Sequence, residues 1–550
     1  MREDHFKKLI GVLIAIVATL IALIALLQAD SDGNDARAAR DFQNYALGII
    51  GTEVNGQSQF NFNYNKIFDL WLQYDKLADR AEQDSIEFLP RYYRAVRDSL
   101  VPLAPLLQPP YFEPETATAD SNRFEVDTYI TELSSLSERF LAALKVREVW
   151  DSKTNTYAIH LTVLAVALFL YGLAVTVTIR FTRILFSVLG TVLTITTVIW
   201  ALIVWAEPVF DLREVPGAID AYVLGVGLAY QEKDAEAKAA FDAAIRAAPT
   251  YVNAYLARAR IHDNLGNLAA SAADYEQARA LGDSSAQSAW NLAWVYFRLE
   301  KFSEAAAMYD RAIEANPNEV WAYYDRGLTY LVLGDFARAQ QSYDQGAKLA
   351  AALADSALES RSAPPAYLWQ ALDDASLQLD NYIDTVNGFQ DWVVPLSSFI
   401  NPEQGEEIAV TLSNRIKNLS VALEYTGKPQ TDPVEAVISN VRISEPIFEG
   451  DKLLPSAPRE VFPSDTTAVA VTLDYANMIN GQDALLKVYL EGRELPQYRL
   501  LIAWNEGAAG TTTFLLSRDS NFERAFESGG YTLEFYVAAN FIAMASFVIE

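Results

Sequence analysis

The chain has 550 residues, 71 acidic against 43 basic side chains, a net charge of −28 and no cysteine. It is too long for one core, so two to four domains are expected. The missing thiols exclude disulfides, thiolate metal sites and cysteine nucleophiles. An acidic exterior repels nucleic-acid phosphates, which leaves basic proteins as the favoured macromolecular partners.

Leu9 to Leu27 is an uncharged apolar run, followed much later by Tyr157 to Ile179 and Ile184 to Trp205. At about 1.5 Å per residue each is long enough to cross a hydrocarbon core of about 30 Å. Leu27-Gln28-Ala29 offers a cleavage site after the first run. The run exceeds a usual signal core, so an uncleaved anchor is expected. Arg2, Lys7 and Lys8 precede the first span, and Arg180 and Arg183 fill the joint Arg180-Phe181-Thr182-Arg183 between the other two. With three spans these flanks share one side, and the excess of positive charge assigns it to the cytoplasm. A multi-pass plasma-membrane protein is expected, with everything after residue 206 extracytoplasmic.

Between the first two spans, residues 36–107 show helical spacing rich in aromatics (Phe68, Trp71, Tyr74, Phe88, Tyr92), which reads as core packing of a helical bundle. Pro109-Pro110 interrupts it, and the period resumes from Asp127. Asp30 to Asp35 has acids at calcium-loop spacing, but Asp35 stands where the sharp turn needs glycine. It reads instead as a polar exit from the membrane and a helix N-cap. The layout of anchor, bundle and closing pair of spans resembles a family of small uncharacterised bacterial membrane proteins.

Near-copies then appear. "AFDAAIRAAP" (Ala240 to Pro249) returns as "MYDRAIEANP" (Met308 to Pro317), with Phe241, Tyr275, Tyr309 and Tyr343 spaced by 34. Units begin at Ala218, Val252, Ala286 and Val320, and carry small residues at Gly225, Ala259, Ala293 and Gly327. Small residues facing large ones at fixed offsets in paired helices resemble the tetratricopeptide repeat. The resemblance implies stacked hairpins with a concave protein-binding surface. Carried over by position, that surface takes Tyr222, Val226 and Tyr230 from the first unit. The second unit gives Asn253, Leu256, Arg260, Asp263 and Asn264. The third gives Gln287, Trp290, Trp294, Phe297 and Arg298, and the fourth Trp321, Tyr324, Leu328, Leu331 and Val332. Some members clamp C-terminal carboxylates with lysine and asparagine where this chain has Tyr222 and Val226, so that clamp is not expected. Trp, Tyr and Arg are common interface anchors. His262 replaces an interhelical tyrosine and reads as a packed side chain.

After Pro364-Pro365, Leu368, Leu372 and Leu379 predict a helix able to cap the last unit or lie in the groove. Ile408 to Leu423 predicts another, ending near Gly427-Lys428-Pro429. The period then becomes two. Strands are expected at 437–445, 466–475, 484–492, 498–504, 511–517, 531–538 and 541–549. They resemble an immunoglobulin-like β-sandwich of bacterial accessory type, with Gly529 to Tyr531 opening the penultimate strand.

The expected organisation is a span at 1–28, a helical bundle at 29–156, a transmembrane hairpin at 157–206, four repeats at 218–351, connector helices at 352–430 and a β-sandwich at 431–550. His5, His160 and His262 are too scattered to form a triad or metal site. His160 falls at a membrane boundary. No phosphate-binding loop is present. No enzyme, cofactor or metal is therefore expected. The function expected is a membrane-anchored, extracytoplasmic scaffold that binds a protein partner in the groove, with the β-sandwich as a second candidate surface. Two alternatives are an oligomeric envelope sensor or assembly subunit in which the N-terminal bundle acts, and the same scaffold with its repeats in the cytoplasm.

Overall fold

The computed structural model describes residues 3–83, 88–359, 365–389, 392–426, 435–449, 452–495, 498, 500–517, 525–538 and 540–550. Arg2, Pro364 and Gly427-Lys428-Pro429 lie outside them. The chain divides into two compact units, residues 1–282 and 283–550.

In the first unit, α1 (Glu3–Phe62) is one continuous helix. Its most buried positions, Ile10, Val17, Ile24, Ser31 and Ala38, recur every seven residues. That is the seam of two helices wound round each other. The seam passes through Asp30 to Asp35 without a break, so the N-cap expected there is absent: a helix held along a packed seam has no free terminus to cap. After a π-helical stretch, Asn63–Phe68, come α2 (Asp69–Gln83) and α3 (Leu89–Leu100). Phe68 and Trp71 are buried against Phe112 of a short β1 (Phe112–Glu113) that pairs with β2 (Thr118–Ala119). Phe88 and Tyr92 face outward. α4 (Ser121–Glu125), capped by the Asp120 carboxylate, leads through another π-helical stretch into α5 (Thr131–Thr176). Buried residues of α5 also recur at seven, as Val146, Lys153, His160, Ala167 and Ala174, with Tyr157, Leu164 and Tyr171 alongside. α6 (Arg180–Ala206) returns. The joint between them is residues 177–179, and Arg180 to Arg183 form the first turn of α6 rather than a loop. Among the described residues, three helices are thus long and apolar enough to cross a membrane.

The unit continues with two helical hairpins, α7 (Ala218–Tyr230) with α8 (Asp234–Ala247), and α9 (Val252–Asn264) with α10 (Leu268–Ala280). The small residue at the eighth position explains the spacing. A Cβ on Gly225 would lie 2.5 Å from the Phe241 ring, so any larger residue would force that aromatic to shift.

The second unit holds two further hairpins, α11 (Ala286–Arg298) with α12 (Phe302–Ala315), and α13 (Val320–Val332) with α14 (Phe336–Glu359). Gly327 and Tyr343 repeat the same fit, at 2.6 Å for the imagined Cβ. α15 (Ala366–Val386) and α16 (Pro402–Thr426) complete this helical core. The β region follows. β3 (Val437–Glu449), β4 (Lys452–Pro458), β6 (Ala468–Ala476) and β10 (Gly510–Ser517) form one sheet in the order β10-β6-β3-β4. β5 (Val461–Phe462), β7 (Asp483–Leu490), β8 (Arg493–Glu494), β9 (Leu500–Ala503), β11 (Gly529–Val537) and β12 (Asn540–Ile549) form the second. Its order is β5-β12-β11-β7-β8, with β9 on β7. Inward residues of both sheets share one core, including Val469, Val471, Val488, Leu533 and Phe547.

Candidate protein-binding face of the repeats

In the first unit, most of the inner-face residues of the opening repeat are engaged by the molecule itself. Tyr222 is half-buried, its ring 5.2 Å from Tyr251 and 5.6 Å from Phe241. The Tyr230 hydroxyl donates to Glu125 at 2.5 Å, and Tyr129 donates to the same carboxylate at 2.6 Å. Glu138, projecting from α5, accepts from the Tyr251 hydroxyl at 2.9 Å and from the Asn253 amide at 2.9 and 3.0 Å. Burial pushes the Glu138 carboxyl above its ordinary range, and those hydrogen bonds pull it back. α5 therefore lies against the start of the expected groove. Leu256 is half-buried, whereas Arg260 and Asn264 are exposed. Beside α7 an acidic-rimmed cleft of about 590 Å³ opens towards α5, with Asp127, Glu132, Asp220 and Leu224 in its lining.

In the second unit, Trp290, Trp294, Phe297, Trp321 and Tyr324 do fall together. Trp294 stacks on Phe297 with centroids 5.3 Å apart and planes 7° from parallel. Phe297 meets Trp392 edge-on at 5.7 Å. The Trp290 indole donates to Asp325 at 2.7 Å, and the Trp321 indole donates to Asp374 of α15 at 3.1 Å while its ring lies 5.9 Å from Tyr367. Phe297 and Tyr324 are fully buried and face no partner. Correspondingly, Leu368, Leu372, Leu379 and Tyr382 of α15 are wholly buried in the same core. The chain then returns along α13, where the Ile400 amide donates to the Val332 carbonyl at 3.0 Å. The inner face of the last two repeats is thus filled by α15 and the segment after it. The physical reason is that α15 carries an apolar stripe matched to an aromatic trough earlier in the same chain, so no second molecule is needed to bury it. Trp290, Trp294, Arg298 and Trp321 remain half-exposed.

The sequence reading missed two polar features. Arg258 bridges Asp242 at 2.7 Å and Asp274 at 2.6 Å, and Arg326, 68 residues on, reaches Asp310 at 2.7 Å. Arg258 to Asp242 and Arg326 to Asp310 link the same two repeat positions, a periodicity visible in the sequence once arginine is followed as well as the aromatics. Lys417 is buried between Asp380 and Glu534, both at 3.0 Å. Burial opposes its charge, but the two carboxylates outweigh it and hold the ammonium above its ordinary value. It lines an open cleft of about 850 Å³ between α15, α16 and the second sheet. Lys417 and Glu534 are far apart in the chain, so no local pattern reveals them.

Tetratricopeptide-repeat patterns match residues 222–289, 286–319 and 308–341. The middle region is therefore built of tetratricopeptide repeats, a class that serves as protein-binding scaffolds. Solved structures with the same signature include MamA, 15% identical, covering 40% of this chain and 98% of its own at a TM-score of 0.28. YrrB, described as a repeat protein with an unusual peptide-binding site, is 17% identical, covers 36% of this chain and 94% of its own, and scores 0.25. PilW, described as a type IV pilus biogenesis factor, is 16% identical, covers 38% and 96%, and scores 0.23. None of the curated proteins matches the chain.

Proposed function

We propose that the chain is a membrane-anchored scaffold that holds a protein partner by non-covalent docking, without catalysis, metal or cofactor. Its N-terminus is cytoplasmic in this reading, and the repeats and an immunoglobulin-like β domain stand outside the cytoplasm. The observation that carries the reading is the half-exposed Trp290 and Trp294 on α11 of a tetratricopeptide hairpin. Indoles left partly in water on such a face are the side chains that gain most from a partner's surface. Trp321 serves α15, Phe297 the segment after it and Tyr324 the pairing of α13 with α14, while Tyr222 packs on Phe241 and Tyr251 and Tyr230 bonds Glu125, so docking is assigned to Trp290 and Trp294, with Leu256, Arg260 and Asn264 as a second patch. The test is a crosslinking pull-down from native membranes with wild type and Trp294→Ala. Loss of the captured protein with unchanged helical circular dichroism is expected, and undiminished capture refutes docking at this face. Protease accessibility of the C-terminus in intact cells tests the orientation.

The alternative of an oligomer formed by the N-terminal part is favoured by one stripe. Leu47, Ile50 and Val54 of α1, beyond the first span, are 70%, 60% and 64% exposed. Crosslinking of the fragment ending at Glu207 checks it: a stable oligomer supports that reading, and a monomer removes it.

A further inference from the structure

His160 occupies a seam position of α5 and is fully buried. Its ring stands edge-on to Trp200 of α6, centroids 4.5 Å apart at 83°, and 5.9 Å from the Tyr157 ring. Neither ring nitrogen has a hydrogen-bond partner among the described residues. Along the same helix pair the Thr154 hydroxyl is likewise without a partner among the described residues, whereas other hydroxyls are satisfied. Thr194 and Thr197 donate to carbonyls one turn back at 2.8 Å, and Tyr171 and Thr191 bond each other at 3.0 Å. An unmatched imidazole in an apolar seam carries a desolvation cost that a leucine would not. Ionisable groups inside a span mark function more often than packing.

A cleft of about 230 Å³ opens one helical turn from it, at the outer end of α5 and α6, and is lined by Ser152, Lys153, Thr156, Val204 and Glu207. Thr156 lies one helical turn above His160, and Val204 one turn beyond Trp200. Lys153, itself buried, donates from Nζ to the Glu207 backbone carbonyl across the cleft.

We propose that His160 is a proton-responsive latch: it packs neutral against Trp200 and, once protonated through this cleft, separates the outer ends of α5 and α6. The titratable and charged groups around it fix the direction. On α5 these are Tyr157, just under one turn above, and Lys153 two turns above. On α6 the ring meets Trp200, and the nearest carboxylate is Glu207 at the cleft. On α1 the seam presents Ile24 and Leu27, with Asp30 beyond them near enough to act on the Tyr157 phenol. Among the described residues, the carboxylates nearest the ring, Glu148 and Glu207 of the cleft and Asp30 of α1, lie on the cleft side, and the Lys153 ammonium there is already held by the Glu207 carbonyl, so a charged ring is driven out of the seam and upward, against the Trp200 contact. The proposal stands on the membrane unit alone and does not depend on docking to the repeats.

The chain's composition makes the test clean, because it has three histidines and no cysteine. His5→Gln with His262→Gln leaves one imidazole for isotope-edited NMR of the full chain in nanodiscs. Spin labels on Asp151→Cys and Trp205→Cys, both exposed positions, report the distance between the two helix ends. Between about pH 8 and about pH 5 the ring is expected to protonate and the distance to lengthen together. With His160→Leu, or with His160→Gln if leucine misassembles, the distance is expected not to change. A ring that stays neutral, a ring that titrates without movement, or the same movement in the variants overturns the proposal. A neutral ring throughout would leave His160 as a register-setting seam residue.

Discussion

Replacing Asp325 by asparagine should stabilise the second unit at alkaline pH and leave it nearly unchanged at acid pH. The Asp325 carboxylate sits on α13, accepts the Trp290 indole N–H at 2.7 Å, and is pushed by burial from an ordinary 3.8 to about 7. The Trp290 bond opposes that rise, while Asp374 and Glu319 add to it. A rise of about three pH units corresponds to about 4 kcal/mol at 1.36 kcal/mol per unit. Discounting by half for residual solvent contact leaves about 2 kcal/mol. The folded state holds the proton that the unfolded chain releases above pH ~4, so this contribution is fully present below pH ~4 and lost as pH rises towards about 7. Asp325→Asn has no proton to lose and keeps an oxygen for Trp290. Hydrogen–deuterium exchange of the α13 and α15 amides, variant against wild type at each pH, reads the difference. Near pH 8 the variant should exchange about 30-fold more slowly, and near pH 4 at the same rate. An equal ratio at both values, or a wild type that gains on the variant as pH rises, refutes the reasoning.

Two further outcomes follow from the packing. Trp321→Ala removes the indole that holds Asp374 and packs near Tyr367. It should cost about 2–4 kcal/mol and bring faster proteolysis at the start of α15, and an unchanged cleavage rate would show that α15 is held without it. Gly327→Ala places a methyl 2.6 Å from the Tyr343 ring and should destabilise by about 1–3 kcal/mol. Gly51→Ala, in open space on α1, should instead gain up to about 1 kcal/mol from helix propensity. Thermal melts that rank the two alike would contradict the fit between small and aromatic positions.

The sequence by itself determined the features that depend on local composition and on period. Three apolar runs are long enough to span a bilayer whatever surrounds them. A glycine at 225 or 327 facing an aromatic 16 residues on can be read without coordinates, because a helical hairpin brings those two positions together. The switch to a two-residue period located the β region and its main strands. Only the tertiary structure decided what fills the groove. Trp321 reads identically as an interface anchor and as the roof over α15, because an indole's preference for burial does not depend on whose chain supplies the cover. The continuity of α1 through Asp30 to Asp35 was likewise hidden, since the seam that carries it depends on a partner helix roughly a hundred residues away. The same holds for Glu138 with Tyr251, for Lys417 with Glu534, and for His160 beneath its cleft. Each is a contact between distant residues, and a contact of that kind leaves no period in the chain.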